Sequence, residues 1–458
     1  MNKKVGTAIV VGAGISGIRS ALDLAEVGYG VTLIDKSPHL GGILTQLDYQ
    51  FPTDRCGMCK MLPLVNRDAS SQYCLRKGLF HENMDVLLST ELASVEGSPG
   101  NYQIKLKQTT SWVDPDLCIG CGDCETKCPE EISDIFNLGL SSRKAIYLPV
   151  PHNIPNTYMI DPDACTKCGD CVDACPSKAI TIPEQDLAPT EIEMTAGAIV
   201  LSGGTSYYNP ATGKDTYGYA QLPDVVTSRE FERLISGTGP SCGQLLKPSD
   251  GKAVKKIAWF QCVGSRDTQD NAEFCSSVCC MHAIKEARLT KEKYGNDVET
   301  TIFYMDMRAF GKSFHRYREE ADNDYNIRFE RSRIHSVTPS TGGDGLEVIQ
   351  VKTNGERLVE NFDMIVLSVG QRPADGTKDL AERLEIPVNA WGFCQPIPLH
   401  PSQTEREGIV ISGSYGGLQD ISESIIQAGS ASLNASMVIH QTGGSELLEM
   451  EAVDEYRN

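Results

Sequence analysis

The sequence predicts an α/β fold: two Rossmann-like dinucleotide-binding halves, with a small iron-sulfur domain inserted into the first. Three observations carry the prediction. Residues 7–35, TAIVVGAGISGIRSALDLAEVGYGVTLID, read as strand, glycine loop, helix and strand. From Lys255 the pattern returns as KKIAWFQCVGSRD, a helix over about 273–294, and the strand ETTIFYMDM. Between the two, residues 113–186 abandon this periodicity for two cysteine runs of identical spacing.

The first unit carries G-x-G-x-x-G at Gly12, Gly14 and Gly17, between a strand and a helix, with Asp35 ending the next strand. Gly12 permits the tight turn, Gly14 lets bare backbone approach a pyrophosphate, and Gly17 lets helix and strand pack closely. The helix N-terminus then faces the phosphates, and Asp35, beside Lys36, can accept a ribose hydroxyl hydrogen bond. The next segment, SPHLGGIL with Gly41 and Gly42, resembles the extension carried by FAD enzymes of the pyridine-nucleotide disulfide oxidoreductase class. AIVLSGGT (198–205, with Gly203) and MIVLSVGQRP (364–373) resemble that class's connectors between domains. GIVISGSYGGLQDISESIIQAG (408–429) resembles its C-terminal flavin element. There the strand ends at Gly413 and Ser414, where the class has Gly-Asp, and the helix near Ser424 presents its N-terminal dipole to the flavin. A thioredoxin-reductase-like flavoprotein is therefore expected.

At 458 residues the chain is long enough for two or three domains, and its formal charge of −19 argues against nucleic acid or an anionic membrane surface as partner. The start lacks the pattern of a signal peptide, and no apolar run reaches 18 residues, so a cytoplasmic, unanchored protein is expected. In a reducing compartment the 17 cysteines read as metal ligands before disulfides. Only Cys242 and Cys394 stand alone, and both are expected to be small buried hydrophobes.

DLCIGCGDCETKCPE and DACTKCGDCVDACPS both read C-x2-C-x2-C-x3-C-P, the run of bacterial two-cluster ferredoxins. Because the fourth cysteine of each run serves the other cluster, Cys118, Cys121, Cys124 and Cys175 are assigned to one [4Fe-4S] cube. Cys128, Cys165, Cys168 and Cys171 are assigned to the second. A pair of zinc ribbons is the alternative, but it needs only two C-x2-C pairs. An earlier group, Cys56, Cys59 and Cys74, is open between part of a further cluster, a redox dithiol and a structural role.

In the second half the glycine fingerprint that NAD requires is replaced by Cys262-Val263-Gly264-Ser265. Cys275, Cys279 and Cys280 follow, the first two expected one turn apart on the helix. Four thiols at a vacated dinucleotide site favour a third [4Fe-4S] cluster; buried structural cysteines or a vicinal 279–280 disulfide are the alternatives.

Taken with FPTDRCGMC, RKAIYLPVPHNIPNTY, CSSVCCMHAIKEARL, FYMDMRAFGK and VLSVGQRP, these motifs resemble the flavin and iron-sulfur (HdrA-type) component of heterodisulfide reductase along nearly the whole chain. The resemblance implies FAD, two clusters in the insert and a third on Cys262, Cys275, Cys279 and Cys280, with no Ser/His/Asp catalytic constellation. It implies a homodimer within a larger complex, partner subunits of the B and C types, electron supply from ferredoxin or another donor, and flavin-based electron bifurcation. Full-length members add an N-terminal cluster domain and a C-terminal ferredoxin; a short form lacking both is expected. The expected division is 1–112 (flavin domain), 113–186 (ferredoxin insert), 187–250 (flavin-domain return and connector), 251–363 (second Rossmann-like domain) and 364–458 (flavin domain and acidic tail). A self-contained NAD(P)H-dependent oxidoreductase and a zinc-stapled scaffold are the competing readings.

Overall fold

The structure is a computed structural model, and it describes residues 6–47, 49, 81–151, 155–185, 187–212, 215–352 and 355–442. Cys56, Cys59 and Cys74 lie outside the described residues. Two five-stranded parallel sheets organise the chain. The first runs Ile409–Ile411, Ala198–Leu201, Thr7–Val11, Gly30–Ile34, Met84–Leu87 across its width. Its central strands are continuous apolar runs because both faces are covered. Helices Ile15–Val27 and Ile421–Gln441 lie on one face. Small residues bring these helices close, Ser432 Oγ donating to Ser20 O at 3.3 Å. The opposite face is closed by an antiparallel sheet of Thr90–Ser98, Asn101–Gln108 and Thr190–Ala196, whose Leu92, Tyr102, Ile104 and Leu106 meet Ile9, Ile199 and Ile409.

The second half repeats this plan. Its parallel sheet runs Val225–Thr227, Met364–Val369, Lys256–Val263, Glu299–Tyr304, Arg328–Arg331. Helices Ser228–Ile235, Cys279–Tyr294 and Phe314–Asn323 cover one face, and the antiparallel strands Val337–Pro339, Leu346–Val351 and Arg357–Phe362 cover the other. Trp259 is fully buried at its centre, edge-on to Phe231 at 5.4 Å between ring centroids. Two expected boundaries shift as a result. Met364–Val369, expected to open the returning flavin domain, is held between Val225–Thr227 and Lys256–Val263 in the second sheet. Val225–Thr227 and the helix after it, expected in the connector, also belong to that sheet. Each is an apolar parallel strand whose sheet is chosen by long-range pairing, which a local pattern does not encode.

The two connectors pair with each other, Thr205–Tyr207 running antiparallel to Gln371–Pro373, so the chain crosses between halves twice through one ribbon. The cysteine-rich insert leaves and re-enters at a single point, where Gln108 and Thr190 are opposite neighbours in the antiparallel sheet. Its own core joins Trp112, Val113, Ile146, Tyr158, Ile160 and Ile180 to buried Cys124 and Cys171. Among the described residues no helix is long and apolar enough to cross a membrane.

The tightest contact in the first half is at Gly17, where a methyl group would lie 1.8 Å from the Gly12 carbonyl oxygen. Gly17→Ala is expected to lose about 1–3 kcal/mol despite the better helix propensity of alanine. Thermal unfolding should show the midpoint falling by about 1 °C for each kcal/mol if the whole chain unfolds together; an unchanged midpoint would mean that helix and loop can separate at no cost.

Candidate functional site

A cleft with about 1260 Å³ of empty space opens at the carboxyl ends of the first sheet. Of the residues expected to hold a dinucleotide, Gly12, Gly14, Asp35, Lys36, Gly41, Gly42, Gly203, Ser414 and Ser424 line it. Gly17 and Gly413 are not in its wall and serve packing: a methyl on Gly413 would lie 2.4 Å from Ser16 Oγ. Gly14 is the opposite case, since a methyl there meets no protein atom within 4 Å, leaving bare backbone for a pyrophosphate. Asp35 accepts hydrogen bonds from Ala13 N at 2.6 Å and Ser37 N at 2.7 Å, which lock the glycine loop and leave carboxylate lone pairs for a ribose hydroxyl. The cleft therefore fits a dinucleotide.

At the far end, the long helix Ile421–Gln441 starts seven residues after Ser414, with a short 3-10 turn, Gly413–Tyr415, in between. Asp420 caps it, accepting from Glu423 N at 2.8 Å, and Asp420 and Ile421 both line the cleft. These residues were missed in the sequence, although D-x-x-E at 420–423 is a capping-box signature.

In the insert, one small cavity is lined by Cys118, Cys121, Cys124 and Cys175. A second of the same size is lined by Cys128, Cys165, Cys168 and Cys171. Each run thus sends its last cysteine to the other run's cavity. Two short helices, Asp123–Lys127 and Asp170–Ala174, bury Cys124 and Cys171, and burial pushes these free thiols up to about 12 and about 11. Such thiols ionise only when a metal replaces the proton.

The third thiol group sits at the carboxyl end of the second sheet. Strand Lys256–Val263 is irregular between Phe260 and Val263, and Cys262 there takes φ 63°, turning its side chain out of the ladder. The helix begins at Cys279, not near residue 273, so the expected one-turn spacing of Cys275 and Cys279 is corrected. Cys275 lies in the loop before the helix. Ser276, buried there, shares a 2.6 Å hydrogen bond with Ser265 and accepts Gln371 N at 3.0 Å, and Ser277 at φ 66° prevents an earlier helical start. Cys279 and Cys280 are consecutive first-turn residues. Burial raises Cys262, Cys279 and Cys280, the last to about 11; negative charge on Cys275 would raise all three further, and charge on Cys262 the latter two, so the four thiols lie within electrostatic reach of one another.

Among the described residues, one set of His, Cys, Asp or Glu ligand atoms lies mutually within 4.8 Å: Glu232, His282 and Glu286. At the lone cysteines, Cys394 is fully buried as expected, but Cys242 is exposed, because Gly239 and Gly243 hold it in a surface turn.

Between the cleft and the third thiol group lies a set of charges that the motifs did not reveal. Val278, His282 and Lys285 face the cleft from the helix that carries Cys279 and Cys280. Lys285 Nζ bonds Glu232 and, at 3.0 Å, Tyr49 O; His282 Nε2 is 2.8 Å from Glu232, and Trp259 Nε1 donates to Glu286 at 2.8 Å. Burial alone would raise the Glu232 carboxyl, yet the Lys285 ammonium and the His282 hydrogen bond hold it well below the usual range. Burial and the neighbouring Glu232 charge push Glu286 well above it, so Glu286 is neutral. Glu232 and Lys285 are 53 residues apart, which is why no local motif announces them.

Models described as "4Fe-4S dicluster domain" match residues 117–180 and 157–215, and one described as "NAD(P)-binding Rossmann-like domain" matches 10–57. The chain is 40% identical to a CoB-CoM heterodisulfide reductase iron-sulfur protein of the A type from Methanopyrus kandleri, over 94% of this chain and 64% of that one. It is 36% identical to the A-type component of the H(2):CoB-CoM heterodisulfide,ferredoxin reductase of Methanothermobacter thermautotrophicus, over 94% and 63%. Along nearly all of its own length the chain is thus similar to A-type heterodisulfide reductase iron-sulfur proteins. It spans somewhat less than two thirds of the length of these relatives. Among solved structures, Lactococcus lactis thioredoxin reductase aligns with a TM-score of 0.49 at 12% identity, covering 95% of this chain and 99% of that one.

Gly14→Ala should leave the thermal midpoint of the flavin-free protein unchanged while sharply lowering flavin retained on purification, measured by absorbance at the visible flavin band. Glu286 stays protonated when folded but ionises near about pH 4.3 when unfolded, so it lowers stability as pH rises above that value. Glu286→Gln should remove this loss, with thermal midpoints gaining on wild type as the pH rises above about 5. Glu232→Gln strands the buried Lys285 ammonium and should cost about 3–5 kcal/mol at neutral pH, read from denaturant unfolding.

Proposed function

We propose that the chain is the FAD- and [4Fe-4S]-containing electron-transfer subunit of a cytoplasmic heterodisulfide-reductase-like complex. The observation that carries this reading is one helix start: the first turns of Cys279–Tyr294 present Val278, His282 and Lys285 to the dinucleotide cleft while contributing Cys279 and Cys280 to the third thiol group. A helix is about 10–12 Å across with its side chains, so cleft and thiols are separated by a single element.

The glycine loop, Asp35, Lys36, Gly41, Gly42 and Gly203 would hold FAD, with Ser414 and Ser424 at its far end. Cys118, Cys121, Cys124 and Cys175 would hold one cluster, Cys128, Cys165, Cys168 and Cys171 the second, and Cys262, Cys275, Cys279 and Cys280 the third. FAD supplies two-electron acceptance with one-electron release, and the clusters carry single electrons. The chain's own residues set the surroundings. Lys285, neutralised by Glu232, places a cation against charge gained on reduction, and Trp259 keeps Glu286 oriented behind it. Subunits of the B and C types and a ferredoxin or other donor are the proposed partners of a homodimeric assembly, with electrons divided between two acceptors by bifurcation. The insert is proposed as one domain, residues 113–186, and the rest as two Rossmann-like units.

A nicotinamide site in the second half is disfavoured by the Tyr208 ring, which lies 2.1 Å from where a Cβ on Gly264 would be, covering the turn that a pyrophosphate would need. The test is iron and acid-labile sulfide per FAD with EPR spin counting. Wild type is expected to hold about three clusters, or about four if Cys56, Cys59 and Cys74 complete another site, and Cys262→Ser one fewer. Unchanged cluster content in the variant would remove the third cluster from this account. Bleaching of the flavin by NADH alone would instead favour a self-contained NAD(P)H oxidoreductase.

A further inference from the structure

The insert is attached to the body covalently at one point, the Gln108–Thr190 pair, yet a second contact far from it is built around a fully buried arginine. Arg233, on helix Ser228–Ile235, donates from Nε to Asn137 Oδ1 at 2.9 Å, from Nη1 to Gln46 O at 3.1 Å and from Nη2 to Thr238 Oγ1 at 2.9 Å. Its guanidinium lies over the Phe136 ring, 4.5 Å from the centroid. Asn137 and Phe136 belong to the insert, Gln46 to the segment that follows Gly41 and Gly42 in the flavin cleft, and Arg233 to the second half. Gln46 engages both ends of its side-chain amide at this junction, Nε2 donating to Phe136 O at 2.9 Å and Oε1 accepting from Arg229.

The insert side is preorganised for this contact. Phe136 and Asn137 form the tip of a hairpin whose strands are Glu131–Ser133 and Ser142–Lys144. Asp134 fixes the tip by accepting from Phe136 N at 2.9 Å, Asn137 Nδ2 at 2.7 Å and Ser141 Oγ at 3.1 Å. The hairpin's first strand begins three residues after Cys128, so wherever the tip is held, the Cys128 cavity is held with it. A planar five-donor cation suits a junction that must satisfy carbonyl and hydroxyl acceptors from several segments at once.

We propose that Arg233 is a positioning residue that sets the distance between the insert's cysteine cavities and the flavin cleft, and so the rate of electron passage between them. This rests on the reading that FAD and the insert's clusters exchange electrons. Asn137 Oδ1 is its side-chain acceptor on the insert, and the Gln46 side chain spans the same junction between Phe136 O and Arg229, so loss of either side chain should act in the same direction with smaller effect.

The test uses cofactor-loaded protein matched for FAD and iron. Flash photoreduction of the flavin followed by cluster bleaching gives the transfer rate, and hydrogen exchange over residues 134–141 reports docking. Arg233→Met is expected to slow transfer about tenfold or more, to raise exchange in the hairpin tip, and to leave the cluster midpoint potentials in place. Arg233→Lys should recover part of the rate. If Arg233→Met does not fold, the double variant Gln46→Ala/Asn137→Ala decides: it keeps the cation with its bonds to the residue-46 carbonyl and Thr238, and removes the side-chain bonds that join the hairpin tip to the body. Wild-type rates in whichever variant is measured, or slowing explained wholly by a shifted potential, would overturn the positioning role. Absence of flavin-to-cluster transfer in the wild type itself would sink the underlying reading and this inference with it.

Discussion

Both halves of the molecule depend on one crossing, at Gly370 and Gln371. There the chain leaves the second sheet, and Gly370 N donates to Val263 O at 2.8 Å while Gly370 O accepts from Tyr208 N at 2.9 Å on the other connector. The point admits no side chain, because a methyl on Gly370 would lie 2.4 Å from Ser265 Oγ and 2.5 Å from Ser276 Oγ. Ser276 in turn holds Gln371 N, so the loop bearing Cys275 is fastened to the ribbon between the sheets. Gln371 lines the dinucleotide cleft. One backbone crossing therefore sets the cleft, the third thiol group and the two sheets relative to one another.

The arrangement gives one architecture two different linings. In a parallel sheet, ligands gather beyond the carboxyl ends of the strands. The first sheet keeps the glycine loop there, with its bare backbone at Gly14. In the second, the irregularity at Cys262 and the delayed helix start at Cys279 fill the equivalent place with thiols, and Tyr208 closes over the remaining glycine. The two ligand sites are neighbours because the ribbon brings the carboxyl ends together and the Cys279–Tyr294 helix separates them by its own width.

Burial gives the buried charges their character. Glu232 and Glu286 are near neighbours with opposite displacements, because Lys285 and His282 sit on the first, while burial and the Glu232 charge outweigh the Trp259 hydrogen bond on the second. One charged carboxylate, one neutral acid and one ammonium satisfy the electrostatics of the set, so the geometric grouping of Glu232, His282 and Glu286 needs no ion to balance it. At the insert, Arg233 does with hydrogen bonds what a long interface does elsewhere, holding an element that the chain itself tethers only at its ends.

Much of this was legible in the residues. The glycine loop and the two cysteine runs are patterns whose spacing reflects local backbone geometry, and Gly12 and Gly14 do line the cleft, as the eight cysteines of the runs line the two insert cavities. The registers that local pattern does not encode were decided by tertiary contacts. The strand Met364–Val369 joined the second sheet because Val225–Thr227 and Lys256–Val263 pair with it. Cys275 left the helix because Ser276 is claimed by Ser265 and Gln371. Lys285 found Glu232, and Arg233 found Gln46 and Asn137, across distances in the chain that only the folded backbone closes. The sequence by itself determined which cofactor chemistries the chain carries, because ligand spacing is local. The tertiary structure alone decided how those centres are placed against each other, because that depends on buried polar contacts between segments remote in sequence.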